Sequence, residues 1–182
     1  MDIIEMNASN CEEIIANTVR AQEDAFIMGV TDKVLVLGGD SNEVNIAYCQ
    51  ENNIPIKNIP NVGGCMVLNI GDVEIGYFTT NIQSNWHNEF MENFCKYLTN
   101  KRINAKMYGN DLLLDDTYKT ASFSTRRLGN LLYIAVHISI DTLDELINNI
   151  CLKPRNKIPK GLGQYGITTE EVVSFVKTYV NN

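Results

Sequence analysis

Three places in this chain carry residue types that could meet a charged ligand such as a phosphate. Gly63-Gly64 runs directly into Cys65-Met66-Val67. A double glycine lets the main chain approach a ligand closely, because no Cβ intervenes and positive φ is accessible. Main-chain N–H groups of such a turn can face a phosphate, and a plain hairpin connection uses the same residues. Lys119 sits on a strand near a turn, which describes a solvated surface lysine as well as a cation aimed at a ligand. Gly109-Asn110-Asp111 offers an amide and a carboxylate, and it is equally good turn chemistry. Cys65 with His87 or His137 would pair a nucleophile with a base, but no sequence pattern joins them. Trp86-His87 precedes a helical pattern and reads as staple and cap, His137 reads as the polar face of a strand, and Asp115-Asp116 reads as a turn rather than an acid-base pair.

The elements that must position these groups follow from periodicity. Ser9 with Glu12 suggests a capping box, and Ile14, Ile15, Val19 and Phe26 then recur near helical spacing, so a first helix is expected to end about Gly29. Val34 to Leu37 suits a buried strand closed by Gly38-Gly39. A short helix through Val44, Ala47 and Tyr48 stops at Asn52-Asn53, ahead of the extended Ile54-Pro55-Ile56. Cys65 to Leu68 and the alternating Val73, Ile75 and Tyr77 read as a hairpin turning at Gly71-Asp72. Phe90, Met91, Phe94 and Leu98 mark a strong helix. Segments 104–108, 111–114, 117–124 and 131–140 read as an antiparallel meander, with Leu132, Ile134, Val136, Ile138 and Ile140 on one face. Helices near 142–150 and 169–179 close the chain. The fold class is therefore α/β of the α+β kind, a mixed, mainly antiparallel sheet packed with helices.

Bulk properties narrow the function. The 182 residues suit a single domain. A formal charge of −7 and a pI near 4.8 argue against nucleic acid, whose phosphates demand clustered Lys and Arg. Five widely spaced cysteines without a CxxC pair encode neither a disulfide frame nor a zinc site, so no metal ligands are assigned; Cys49 and Cys95 fall in helical patterns as small core residues. The thiols imply a reducing compartment. Without a signal-like N-terminus or a membrane-length apolar run, the expected location is the cytoplasm.

The order of the short motifs resembles the catalytic domain of the lipoate–protein ligase family, within the biotin/lipoate protein ligase superfamily. Gly38-Gly39-Asp40-Ser41-Asn42-Glu43-Val44-Asn45 and then Asn53-Ile54-Pro55 are similar to that family's Gly-Arg-x-Gln-Asn…Glu-Val-Asn…Gly-Ile-Pro stretch. Val62 to Gly71 is similar to its Gly-Gly-Gly-Ala-Val-Tyr-His-Asp-x-Gly signature. Asn110-Asp111-Leu112-Leu113 followed by Lys119-Thr120-Ala121-Ser122 resembles Arg-Asn-Asp-Leu…Lys-Ile-Ser-Gly, and Lys160-Gly161-Leu162 matches part of a late basic loop. The likeness runs from about residue 17 to the C-terminus.

The resemblance implies an enzyme that uses ATP and Mg²⁺ to turn lipoate, or a similar acyl group, into an acyl-adenylate, then passes it to a lysine of a lipoyl-domain protein. It implies Lys119 as the catalytic cation, and a substrate and ATP site from Gly63, Gly64, Cys65, Met66, Val67, Asn69, Gly71, Asn110 and Asp111. The accessory domain of many ligases would lie on another chain or not be needed. Departures are specific. The family's Arg pair falls on Asn58 and Ile59, its His on Leu68, its Asp on Asn69 and its first glycine on Val62. Isoleucine cannot imitate a guanidinium fork. A noncatalytic relative that binds an acyl ligand or a partner protein is therefore the competing expectation. ATP-independent octanoyl or lipoyl transferase activity is the third, since that related family commonly uses a cysteine farther downstream than Cys151.

Overall fold

The computed structural model describes residues 2–38, 41–60, 65–153 and 155–181. In chain order the elements are β1 (Ile3–Met6), α1 (Cys11–Ala21), β2 (Ala25–Val30), β3 (Leu35–Gly38), α2 (Ile46–Glu51), β4 (Ile56–Asn58), β5 (Met66–Leu68), β6 (Val73–Thr79), α3 (Trp86–Asn100), β7 (Ala105–Tyr108), β8 (Asp111–Leu114), β9 (Tyr118–Leu128), β10 (Leu131–Ile138), α4 (Asp144–Ile150), β11 (Ile158–Pro159) and α5 (Thr169–Asn181). One sheet runs β1-β2-β6-β10-β9-β8-β7 with β11 added along β9, and a small sheet runs β4-β3-β5. Most pairings are antiparallel; β1 with β2, β11 with β9, and β3 with β4 are parallel. The α+β expectation is met. Among the described residues, no helix is long and apolar enough to cross a membrane.

The large sheet is covered on both faces. Leu132, Ile134, Val136, Ile138 and Ile140 point together, as the alternation predicts, into a core with Phe90, Phe94, Leu98, Val172 and Val176 from α3 and α5. The opposite face of β10 is also buried: Leu131, Tyr133 and Ala135 pack with Ile15 of α1, Ile27 and Phe78. Continuing along that face, His137 and Ser139 are only 8% and 9% exposed. The expected polar, open face for His137 is thus corrected, because α1 and the small sheet cover the side that alternation alone would leave to water.

Three other expectations change. Phe26 to Gly29 belongs to β2, not to the first helix. That helix stops at Ala21, where Gln22 turns left-handed at φ 55°, and Phe26 and Ile27 then bury on opposite faces of the sheet, as a central strand requires. Asn10 rather than Ser9 stands at the helix entrance, while the Asn7 side chain accepts from the Ser9 N–H at 2.9 Å. Finally, β5 and β6 do not form a hairpin. Asp72 accepts from the Asn69 N–H at 2.8 Å and the Ile140 N–H at 2.7 Å, and Gly71 donates to the Thr31 carbonyl at 2.8 Å. This knot sends β5 to pair with β3 and β6 to pair with β2 and β10.

The returning loop after β11 seats as tightly. A Cβ built on Gly161 would lie 2.0 Å from the Ile140 carbonyl oxygen, a backbone atom that cannot move aside. Gly109, at φ 59°, has open space around it. Gly161→Ala is therefore expected to destabilise the fold by about 3 kcal/mol or more, against about 1 kcal/mol for Gly109→Ala. Urea unfolding of the two variants checks this, and equal losses would show that the loop is not clamped there.

Candidate functional site

Where the small sheet meets the far end of β9 and β10, the chain encloses a cavity of about 450 Å³, within the usual range for a small-molecule site. Its wall includes Met66, Val67, Ile147 and Pro159 as apolar groups, and Lys119, Arg155 and Lys157 as cations. Cys65, Asp111, Thr120, Ser122, His137 and Ser139 complete most of its polar side.

A one-residue bulge places Lys119. Leu112 pairs with Ala121, but Leu113 pairs with Lys119, so Thr120 is extra on β9. Ala121 points into the main core. In an unbroken strand Lys119 would share that face, and the bulge turns it to the cavity instead, a common use of bulges beside sites. Its main-chain carbonyl accepts from the Lys160 N–H at 2.9 Å, and the Thr120 carbonyl accepts from the Ser139 N–H at 2.8 Å. The backbone on both sides of the bulge is thereby held.

The ammonium of Lys119 lies 2.9 Å from one oxygen of Asp111, and that of Lys157 lies 2.6 Å from the other. Burial pushes the Asp111 carboxyl up, but the hydrogen bonds and charges of Lys157 and Lys119 outweigh it and hold the group below the usual carboxylate range. Two ammoniums share one carboxylate, leaving net positive charge on the wall. A polyanion such as a phosphate chain complements Lys119, Lys157 and Arg155. A magnesium ion is less well served. Asp111 is the one carboxylate on this wall among the described residues, both its oxygens are engaged, and no group of three or more metal-ligating side chains exists among the described residues.

The nominated positions divide clearly. Lys119, Asp111, Cys65, Met66 and Val67 line this cavity together. Asn69, Gly71 and Asn110 are not on its wall. Asn69 and Gly71 belong to the turn that separates the sheets, and Asn110 is exposed, its carbonyl accepting from the Phe123 N–H at 3.0 Å. Gly63 and Gly64 lie outside the described residues. His87 packs on Phe123, and burial depresses its pKa. Asp115 and Asp116 adopt positive φ in a tight turn, and Asp115 accepts from the Tyr165 hydroxyl at 2.6 Å. At the positions of the family's arginines, Asn58 and Ile59 supply no cation, and the adjacent Lys57 is tied to Glu12 at 2.9 Å.

Sequence reasoning missed two clusters. His137, directly across the ladder from Glu74, makes a short contact to it through Nδ1, and its Nε2 lies 2.9 Å from Ser139 Oγ. Burial pushes the imidazole down, but Glu74 and then Asp72 more than offset it, so His137 retains its proton above the usual range. The second cluster joins Cys65 and Cys151, whose Sγ atoms are 3.1 Å apart, with Arg155 Nη2 donating to Cys151 Sγ at 3.2 Å. Only the alternation of 137 and 139 hinted at the first, and no sequence signal pointed to the second.

Hydrogen bonding from the Cys65 thiol, and then from Arg155, against the opposing effect of burial, lowers the Cys151 pKa to about 6. Alkylation by iodoacetamide should therefore accelerate with a midpoint near pH 6 at Cys151, followed by peptide mass mapping. In Cys65→Ala the midpoint should move up toward the ordinary thiol value near 8.5. An unshifted midpoint would rule out the thiol pair as its cause.

Comparison with known proteins identifies the family. The family model described as lipoyl protein ligase A/B catalytic domain matches residues 6–182. Lipoate–protein ligase 1 of Staphylococcus aureus is 22% identical over 157 residues, 83% of this chain and 48% of that protein. The chain thus spans about half the length of that curated relative. Among solved structures, a bi-partite lipoate protein ligase from Thermoplasma acidophilum, described with its E2 lipoyl domain, superposes with a TM-score of 0.76 at 12% identity, covering 97% of this chain and 80% of that one. A lipoate–protein ligase A bound with ATP gives a TM-score of 0.75 at 12% identity, covering 95% and 81%. At such identities these structures show the shared fold.

Proposed function

The chain belongs to the lipoyl protein ligase A/B catalytic-domain family, and on that premise we propose that it activates lipoate or a similar acyl acid with ATP and transfers the acyl group to a lysine of a lipoyl-domain protein. The observation that carries this reading is the convergence of Lys119 and the 65–67 segment on one cavity that holds both cations and apolar groups. Lipoate is a carboxylate on a short aliphatic chain, and its adenylate is an anionic mixed anhydride. Met66, Val67 and Ile147 suit the chain, while Lys119 and Lys157 suit the charged end.

In the first step an acyl carboxylate attacks the α-phosphate of ATP, and pyrophosphate leaves. Two anions must be held together while charge grows on the phosphoryl oxygens. Lys119, oriented in advance by Asp111 and the bulge, offsets that charge without reorganising. In the second step the acceptor amine attacks the acyl carbonyl and AMP leaves, and the same ammonium stands ready for the carbonyl oxygen and the departing phosphate. Magnesium would arrive with the nucleotide as its counter-ion, since among the described residues the wall presents one carboxylate, the already paired Asp111.

A second reading is favoured by one observation. Positions 58 and 59 bring no guanidinium, and Lys57 is occupied by Glu12, so a relative that holds an acyl ligand without activating it also fits this wall. The assay separates the two. Purified protein, ATP, magnesium, lipoate and a lipoyl domain are mixed, and the lipoyl domain is weighed by mass spectrometry for the acyl increment. The ligase reading expects modification, with Lys119→Met lowering the rate about 10²- to 10³-fold. No acyl increment, together with no ATP binding by calorimetry, would contradict it.

A further inference from the structure

Along one face of β10 the apolar alternation Leu131, Tyr133, Ala135 gives way to His137 and Ser139 just where the strand reaches the cavity. Glu74 contacts Nδ1 of the imidazole, and Nε2 faces Ser139 Oγ at 2.9 Å. Carboxylate, imidazole and hydroxyl in that order form the relay by which unrelated folds activate a serine nucleophile, recognised by geometry and not by sequence position. Burying two carboxylates, Asp72 fully and Glu74 to 6% exposure, beside one imidazole is a costly way to stabilise a core.

A further feature of the wall points independently to a ligand. The Thr120 hydroxyl is buried and has no hydrogen-bond partner among the described residues, and Thr120 lines the same cavity. An unpaired buried hydroxyl costs free energy, which a ligand oxygen would recover. Lys119, from the same bulge, supplies a positive charge on that wall.

We propose that Ser139 is an acyl acceptor, and that this cavity cleaves activated carboxylic esters and thioesters through an acyl-serine, without nucleotide. Ser139 Oγ adds to the acyl carbonyl carbon as its proton passes to His137 Nε2. Negative charge on the carbonyl oxygen is met by Lys119 and the Thr120 hydroxyl. The bond to the leaving alkoxide or thiolate then breaks, and that group departs with the proton from His137. Water attacks the acyl-serine, giving its proton to His137, and collapse returns that proton to Ser139 and releases the acid. One ester and one water become one acid and one alcohol or thiol. Glu74 acts as a positioning residue by holding the imidazole through Nδ1.

The groups facing His137 set the pH dependence: Glu74 on β6, Asp72 in the turn before it, Ser139 on its own chain, and Lys119 on β9. The carboxylates keep the imidazole protonated, so the base becomes available only as pH rises above the usual histidine range. The rate should therefore climb with pH through a midpoint above about 6.5.

The test uses the intact chain without ATP. Wild-type protein is treated with a fluorophosphonate and mapped by peptide mass spectrometry, and hydrolysis of p-nitrophenyl octanoate is followed in parallel. The phosphonyl increment is expected on Ser139. Hydrolysis should fall about a hundredfold or more in Ser139→Ala and His137→Gln, and persist in Cys151→Ala. Glu74→Gln should move the pH midpoint downward. A folded wild-type protein that saturating reagent leaves unmodified at Ser139 would overturn the proposal without recourse to any variant. So would hydrolysis that survives in Ser139→Ala and disappears in Cys151→Ala, which would assign the nucleophile to the thiolate. Since no nucleotide is present, failure here leaves the ligase reading untouched, and failure of ligation leaves this result standing.

Discussion

The site depends on one irregularity in a sheet. If β9 ran without its extra residue, Lys119 would share the face of Ala121 and push an ammonium toward Phe94 and Leu112, where desolvation would cost several kcal/mol. The bulge turns the side chain to the opposite face, and Asp111 across the ladder holds it there at 2.9 Å. Lys157 on the second carboxylate oxygen keeps Asp111 from neutralising its neighbour alone. Everything proposed about activation and transfer starts from this held positive charge.

The surrounding fold makes that charge useful. The Asp72 knot sends consecutive strands into two sheets, so β5 brings Cys65, Met66 and Val67 over the end of the large sheet instead of continuing it. The resulting cavity combines apolar groups of β5 and α4 with Lys119 of β9 and with Arg155 and Lys157 of the loop before β11. In a chain of formal charge −7, a small group of cations beside low-dielectric walls focuses attraction for an anion at one place. His137, held from behind by Glu74, lies on the same wall and brings a second kind of chemistry within the same enclosure.

Much of the architecture was legible because it follows local patterns. The apolar spacing of Phe90, Phe94 and Leu98 predicts α3, and the alternation from Leu132 to Ile140 predicts one face of β10 correctly. Period alone does not report what covers the other face, which is why His137 appears solvent-facing in sequence and is buried in the fold. Likewise, Gly71-Asp72 is good turn chemistry, but only the long-range bonds from Asp72 to Ile140 and from Gly71 to Thr31 decide that its flanking strands part company. Family likeness singled out Lys119, Asp111 and residues 65–67, which line one cavity. It could not reveal the bulge that aims Lys119, nor the pairing of Cys65 with Cys151 across 86 positions, because both are properties of register and tertiary contact.

The most direct measurement is calorimetric titration of the protein with a non-hydrolysable lipoyl-adenylate mimic in which a sulfamate replaces the phosphate. Binding at one site per chain is expected, weakened at least about tenfold when Lys119 becomes methionine, since a charge-assisted hydrogen bond is lost. Equal affinity for the two proteins, or none for either, would mean that the bulge does not aim this cation at an acyl-adenylate.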